Sequence, residues 1–181
     1  MRTLFLDARA IQKYFLPEEG NELMHWLCSK KAVLCGVRCI SSPKSRQEFF
    51  RAIDENLRSG RISQDQADRI KNAASDLFEG LIGSNGKLPL PDMPAENISA
   101  DELARRHKPT IDKYHWDRDR IETIVSDLRY LSGAPGLQVV TPDAGFGEVL
   151  ELEGYDIINP EAKKIGELLE EWVAEKKTET H

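Results

Sequence analysis

Two short apolar runs in the sequence each end in an aspartate. Leu4, Phe5 and Leu6 lead straight into Asp7, and Val139 and Val140 are followed by Thr141, Pro142 and Asp143. Each run reads as a buried strand, the second ended by Pro142. Both aspartates then fall at strand carboxyl ends, the edge where open α/β sheets bind ligands. Asp117 and Asp119 open a helix, and a crossover helix runs antiparallel to its strands, so its first residues reach the same edge. Glu48, six positions after Ser42, lies in the first turns of its own helix and reaches that edge as well. Asp127 is eight residues beyond Asp119; at ~1.5 Å per residue it lies roughly 12 Å away, an ordinary exposed residue unless the helix starts later.

Carboxylates gathered in this way repel one another. At neutral pH the cluster is costly unless a hard cation neutralises it or it takes up protons. Mg²⁺ and Mn²⁺ accept oxygen ligands, keep waters and bind phosphate oxygens, which suits these residue types where a zinc site would not. Each acid alone also has a plain role: Asp7 and Asp143 as caps, Asp119 as a helix-start charge, Glu48 as an exposed helix residue.

The elements that must position these acids alternate between strand and helix. The pattern predicts a strand over 3–6, a loop through Pro17, a helix from about 18 to 30 and a second strand over 32–37. Ser41-Ser42-Pro43 then opens a helix carrying Glu48, Phe49, Ile53 and Leu57. Capping boxes at Ser63 to Gln66 and Ser99 to Glu102 open two more helices, the second ending in Arg105, Arg106, His107 and Lys108. Between them, 83–97 reads as a surface loop or flap. A helix from Asp117 carries Ile121, Ile124, Val125, Leu128 and Leu131. A strand to Thr141, a helix from about 145 to 152, a weak strand over 155–158 and a final helix over about 160–175, capped by Asn159-Pro160, complete the chain. This predicts one α/β domain over 1–181, a three-layer α/β/α sandwich with a mostly parallel central sheet and right-handed crossovers.

Composition bounds the function classes. The chain has 181 residues, 40% hydrophobic and 31% charged, with a net charge of −6, which suits a folded domain and argues against holding nucleic acid through the overall field. No apolar run approaches the ~20 residues of a membrane span, and no signal-peptide layout is evident, so a soluble cytoplasmic protein is expected. Cys28, Cys35 and Cys39 form no Cys-x-x-Cys pair, which argues against a disulfide framework or zinc site.

Together, the apolar run into Asp7, Ser42-Pro43 with Glu48, an aspartate opening the penultimate helix, Val140-Thr141-Pro142-Asp143 with Phe146, and the closing Gly154-Tyr155-Asp156-Ile157-Ile158-Asn159-Pro160 resemble the PIN-domain nucleases. These are small metal-dependent ribonucleases that include toxins of toxin-antitoxin pairs. The resemblance covers both ends of the chain and leaves a helical insertion over about 56–115. It implies that Asp7, Asp119 and Asp143, with Asp117 and then Asp127 as alternatives for the third acid, hold one or two Mg²⁺ or Mn²⁺ ions. Glu48 would ligate an ion or orient the attacking water, and the substrate would be RNA, most simply single-stranded. Arg105, Arg106 and Lys108, with Arg118 and Arg120, would supply a positive groove. An antitoxin partner, or a dimer through the final helix, would fit the same reading. Ala8 departs from the family, which commonly carries a hydroxyl residue after the first aspartate.

Three rivals stand beside it. A catalytically inactive scaffold of the same fold, binding protein or RNA, draws support from Ala8 and the insertion. A haloacid-dehalogenase-like phosphatase would need a second aspartate where Arg9 stands. A receiver-like domain would need a phosphoacceptor aspartate ending a central strand, and none is evident.

Overall fold

Leu4, Phe5 and Leu6 are all fully buried, yet they serve opposite faces of one sheet. Leu4 and Leu6 pack into one apolar cluster and Phe5 into another, the alternation that a strand imposes. The computed structural model of the chain describes residues 2–82, 98–131 and 137–178, with side chains as far as 172. Its strands are β1 (Arg2–Leu6), β2 (Val37–Ile40), β3 (Gln138–Val140) and β4 (Asp156–Ile158), in the order β2-β1-β3-β4 and all parallel. In register, Leu4 pairs with Cys39 on one side and Gln138 on the other, and Val140 pairs with Ile158.

Helices cover both faces, an arrangement compatible with a three-layer sandwich. Against Leu4, Leu6 and Val140 pack α1 (Ala8–Phe15), α2 (Asn21–Leu27), α4 (Pro43–Arg58), α5 (Gln64–Ile82) and α10 (Ile165–Thr178). Phe49 of α4 sits at the centre of this layer, its ring 5.5 Å from that of Phe15 and 5.6 Å from that of Phe78. Against Phe5 and Val139 pack α6 (Ala100–Arg106), α7 (Lys108–Tyr114), α8 (Arg118–Leu131) and α9 (Ala144–Leu152). The described parts of 56–115 therefore build core on both faces: α5 contributes Ala67, Ala74, Phe78 and Leu81 to one, and α6 and α7 contribute Leu103 and Ile111 to the other.

Caps explain most helix starts. Ser42 accepts the Ser45 N–H at 2.9 Å, with Pro43 in the first turn, as expected. The Ser63 box forms in both directions, with the Gln66 N–H donating to Ser63 and the Ser63 N–H donating to the Gln66 side chain. Ser99 accepts from the Glu102 N–H.

Four boundaries differ from expectation. Residues 8–15 are helix rather than loop, because Asp7 is itself the cap, accepting the Ala10 N–H at 2.6 Å. The expected strand over 32–37 is occupied by the helix α3 (Lys30–Leu34), capped by Ser29. Val33 and Leu34 are exposed there, and Gly36, at φ +80°, turns the chain so that β2 begins at Val37. The basic run 105–108 is not one helix end, since Lys108-Pro109 starts a second helix, α7. Asn159 caps a turn, accepting the Glu161 N–H, and the final helix begins later, at Ile165. The expected loop over 83–97, the residues 132–136 and the polar tail lie outside the described residues.

Two glycines of α9 make opposite predictions. A Cβ on Gly145 would lie 2.7 Å from Trp116 and 2.9 Å from Tyr114, whereas one on Gly147 would meet only Ile157, at an ordinary 3.7 Å. Gly145→Ala is expected to lose roughly 1–3 kcal/mol by overpacking, and Gly147→Ala to be neutral or gain up to about 1 kcal/mol from helix propensity. Urea unfolding of the two variants beside the wild type checks both signs.

Candidate functional site

The sheet leaves one place where neighbouring strands send their chains in opposite directions. After β1 the chain crosses to β2 on one side, and after β3 it crosses to β4 on the other, so the gap beyond the ends of β1 and β3 is the topological switch point. Asp7 and Asp143 stand on its two sides. Both are buried, and both cap the helix that follows.

Capping uses one oxygen of each. Asp7 Oδ1 accepts the Ala10 N–H, while its Oδ2 accepts the Thr141 hydroxyl at 2.6 Å. Asp143 Oδ1 accepts the Gly145 and Phe146 N–H groups at 3.1 Å each, while its Oδ2 lies 2.6 Å from Arg120 Nη2 and 3.3 Å from Arg9 Nη1. Thr141 joins the two sides, because its Oγ1 also accepts the Asp143 N–H at 3.0 Å. With Ala8 after Asp7, the hydroxyl that orients Asp7 comes from β3's end.

The third acid is where expectation and structure part. Asp119 is exposed, and so is Asp117, whose side chain caps α8 by accepting the Arg120 N–H at 2.8 Å. Asp127, expected to be an ordinary exposed residue, is instead buried, with the Ser42 hydroxyl donating to its Oδ1 at 3.0 Å. Two physical reasons account for the difference. The strands are only three to five residues long and α8 has fourteen, so the first turns of α8 overhang the sheet and its third turn lies at the edge. Arg120 and Asp127 are also seven residues apart and so share a helix face, whereas Asp119 is turned away. The sequence did carry a signal: Asp127 interrupts the stripe made by Ile124, Leu128 and Leu131, and an acid among buried positions is the informative kind of exception.

Glu48 reaches the same edge, with its Oε1 3.4 Å from Arg120 Nη1. Arg120 thus bridges Glu48 and Asp143. Its guanidinium lies over two rings, 5.9 Å from the centroid of Trp116 and 5.7 Å from that of Phe146. Trp116 is stacked on Tyr114, and this pair presses on Gly145.

The acids act on one another's charge. Burial raises Asp7 to about 6 with help from Asp143, against the lowering effects of the Thr141 and Ala10 hydrogen bonds and of Arg120. Burial raises Asp127 to about 7, reinforced by Glu48 and Asp7 and opposed by Ser42 and Arg120. Among the described residues, no three His, Cys, Asp or Glu side chains converge closely enough to hold a metal ion as they stand.

The expected basic groove is largely spent elsewhere. Arg106 binds Glu153 at 3.0 Å and Glu102 at 3.1 Å, Lys108 pairs with Asp112, and Arg118 with Asp101 and Glu122; Arg105 is exposed. Arg120, anticipated as part of that groove, points into the acid cluster.

Compared with known proteins, the chain matches no family model and no curated protein. No helix among the described residues is long and apolar enough to cross a membrane.

The two raised acids set a pH dependence. The unfolded chain releases these protons near the ordinary 3.8, while the folded metal-free chain holds them to about 6 and 7. Between those limits the unfolded state binds fewer protons, so stability falls as pH rises and is lowest above the folded values. Chemical denaturation in EDTA is expected to show stability dropping from pH 5 to pH 8. Asp127→Asn, which keeps an acceptor for Ser42, should gain on the order of 1–3 kcal/mol at pH 8 and flatten the upper part of the profile. A flat wild-type profile would refute the burial of uncompensated charge.

Proposed function

We propose that the chain is a Mg²⁺- or Mn²⁺-dependent endoribonuclease of PIN-like fold. The observation that carries the reading is the excess of carboxylate at the switch point. Asp7, Glu48, Asp127 and Asp143 act on one another there, and among the described residues Asp7 and Asp127 have hydroxyls, not cations, as their direct side-chain partners. In this reading the third acid is Asp127 in place of Asp119.

The donors fit a hard divalent cation in kind, being oxygens that are buried and short of counter-charge. Asp7 and Asp127 would hold it, with Asp143 and Glu48 in reach of the same edge. A bound ion supplies a water of lowered pKa and positive charge against the scissile phosphate. The chain's own groups do the rest. Thr141 and the Ala10 N–H fix the Asp7 carboxylate, and Ser42 fixes Asp127. Glu48, at the same edge, would orient the attacking water. Arg120, set over two rings, offers a guanidinium to a phosphate oxygen whenever it leaves Glu48.

A second reading rests on the same arginine. Arg120 and Arg9 already meet Asp143, and Arg120 meets Glu48. A chain in which these pairs suffice and no cation binds at Asp7 and Asp127 is a non-catalytic scaffold.

Calorimetric titration of Mn²⁺ beside a cleavage assay on mixed single-stranded RNA separates the two. The nuclease reading expects cleavage that stops in EDTA and returns with Mn²⁺. It also expects losses on the order of a hundredfold or more in kcat/KM for Asp7→Asn, Asp127→Asn and Asp143→Asn, with Asp119→Asn still binding metal. No Mn²⁺ binding by the wild type would leave the scaffold.

A further inference from the structure

A cleft of about 540 Å³ opens beside the acid cluster, lined by Arg9, Gln12, Lys13, Asn56, Ser59 and Arg61, and walled by Pro142. It runs directly off the site, since Pro142 precedes Asp143 and Arg9 Nη1 lies 3.3 Å from Asp143 Oδ2. Its volume is within the roughly 300–1,000 Å³ of small-molecule sites, enough for a nucleotide and too little for a duplex. Most of its charge is committed. Lys13 is buried and held by Glu161 at 2.5 Å and Glu18 at 3.3 Å. Burial works against its charge, yet those two carboxylates outweigh it and hold the ammonium above its usual pKa. Glu55, also in the wall, has Arg51 at 3.9 Å.

Arg61 is different. It is exposed, its backbone N–H donates to the Asn56 carbonyl at 2.9 Å, and its guanidinium has no acid partner among the described residues. Asn56 and Gln12 add amide heads that donate and accept, the complement of a base edge. Arg61 and Asn56 also border a second, more apolar cleft of about 470 Å³ with Phe15, Ile62, Arg69 and Ile70. The two clefts form a track leading away from the acids.

Building on the nuclease reading, we propose that this track seats the strand next to the scissile bond of a single-stranded RNA. Arg61 takes the phosphate of the adjoining nucleotide, and Gln12 and Asn56 meet its base. This supplies locally the positive contact that the overall charge of −6 withholds.

The test is binding of a fluorescent single-stranded RNA of roughly six nucleotides, and of adenosine monophosphate, in EDTA over a salt series. Arg61→Ala is expected to weaken oligonucleotide binding about tenfold, and Arg61→Glu further. The slope of log Kd against log salt should fall by about 0.7, one phosphate contact on a single strand. In cleavage, Arg61→Ala should raise KM more than it lowers kcat. Unchanged affinity and slope in both variants would overturn the track while leaving the nuclease reading intact. Arg61-dependent RNA binding by a wild type that never cleaves with Mn²⁺ would uphold the track and refute the nuclease reading. Adenosine monophosphate bound as tightly as the oligonucleotide would overturn the strand in favour of a free nucleotide.

Discussion

Arg120 reaches from α8 to Glu48 on α4 and to Asp143 beyond β3, carrying the positive charge by which these elements meet at one edge. The Asp143 carboxylate is buried, and a partner lost from a buried pair costs about 3–5 kcal/mol because the remaining charge is stranded. The guanidinium must therefore be held in place, and it is held by packing. Trp116 and Phe146 lie beside it, Tyr114 backs Trp116, and the absence of a side chain at Gly145 lets that pair close on α9. Trp116, between α7 and α8, thus bears on the site although it carries no charge.

Asp7 and Asp143 show why a capping role and the proposed ligand role need not compete. Each spends one oxygen on the helix it caps and turns the other to the switch point, Asp7 toward Thr141 and Asp143 toward Arg120. The cap fixes the carboxylate in position before any ligand arrives. Thr141 then couples the pair, donating to one aspartate and accepting from the backbone of the other. Ser42 does for Asp127 what Thr141 does for Asp7, so the hydroxyls at the ends of β2 and β3 set two of the acids.

Much of this arrangement was legible in the residues, for identifiable reasons. The strands around Leu4 to Leu6 and Val139 to Val140 declare themselves by apolar runs stopped by polar residues, and the helices at Ser42, Ser63 and Ser99 by their caps. Asp7 and Asp143 follow from those strands. What misled was apolar character without burial: Val33 and Leu34 look like strand and lie exposed on a short helix. Asp7 caps the helix α1, whereas the residues up to Pro17 look like loop from their pattern alone. The burial of Asp127 escapes the sequence because nothing in it states how far α8 overhangs a sheet of such short strands. The pairing of Arg106 with Glu153, forty-seven residues away, could not be read from local charge at all.

The distribution of counter-charge orders the four acids. Glu48 and Asp143 have Arg120 in direct contact, and Asp143 has Arg9 as well. Asp7 and Asp127 are met directly by the hydroxyls of Thr141 and Ser42, which donate a hydrogen bond and bring no net charge. A hydroxyl lowers a carboxyl pKa but cannot offset its desolvation, which is why these two are the ones lifted to about 6 and 7. Whatever neutralises the edge therefore acts first on Asp7 and Asp127: protons below neutrality and, in the proposed nuclease reading, a hard cation above it. Arg120 can stay on Glu48 and Asp143 while that happens. In that reading Arg120 and a bound cation would be complementary charges on two halves of one carboxylate cluster, rather than rivals for one position.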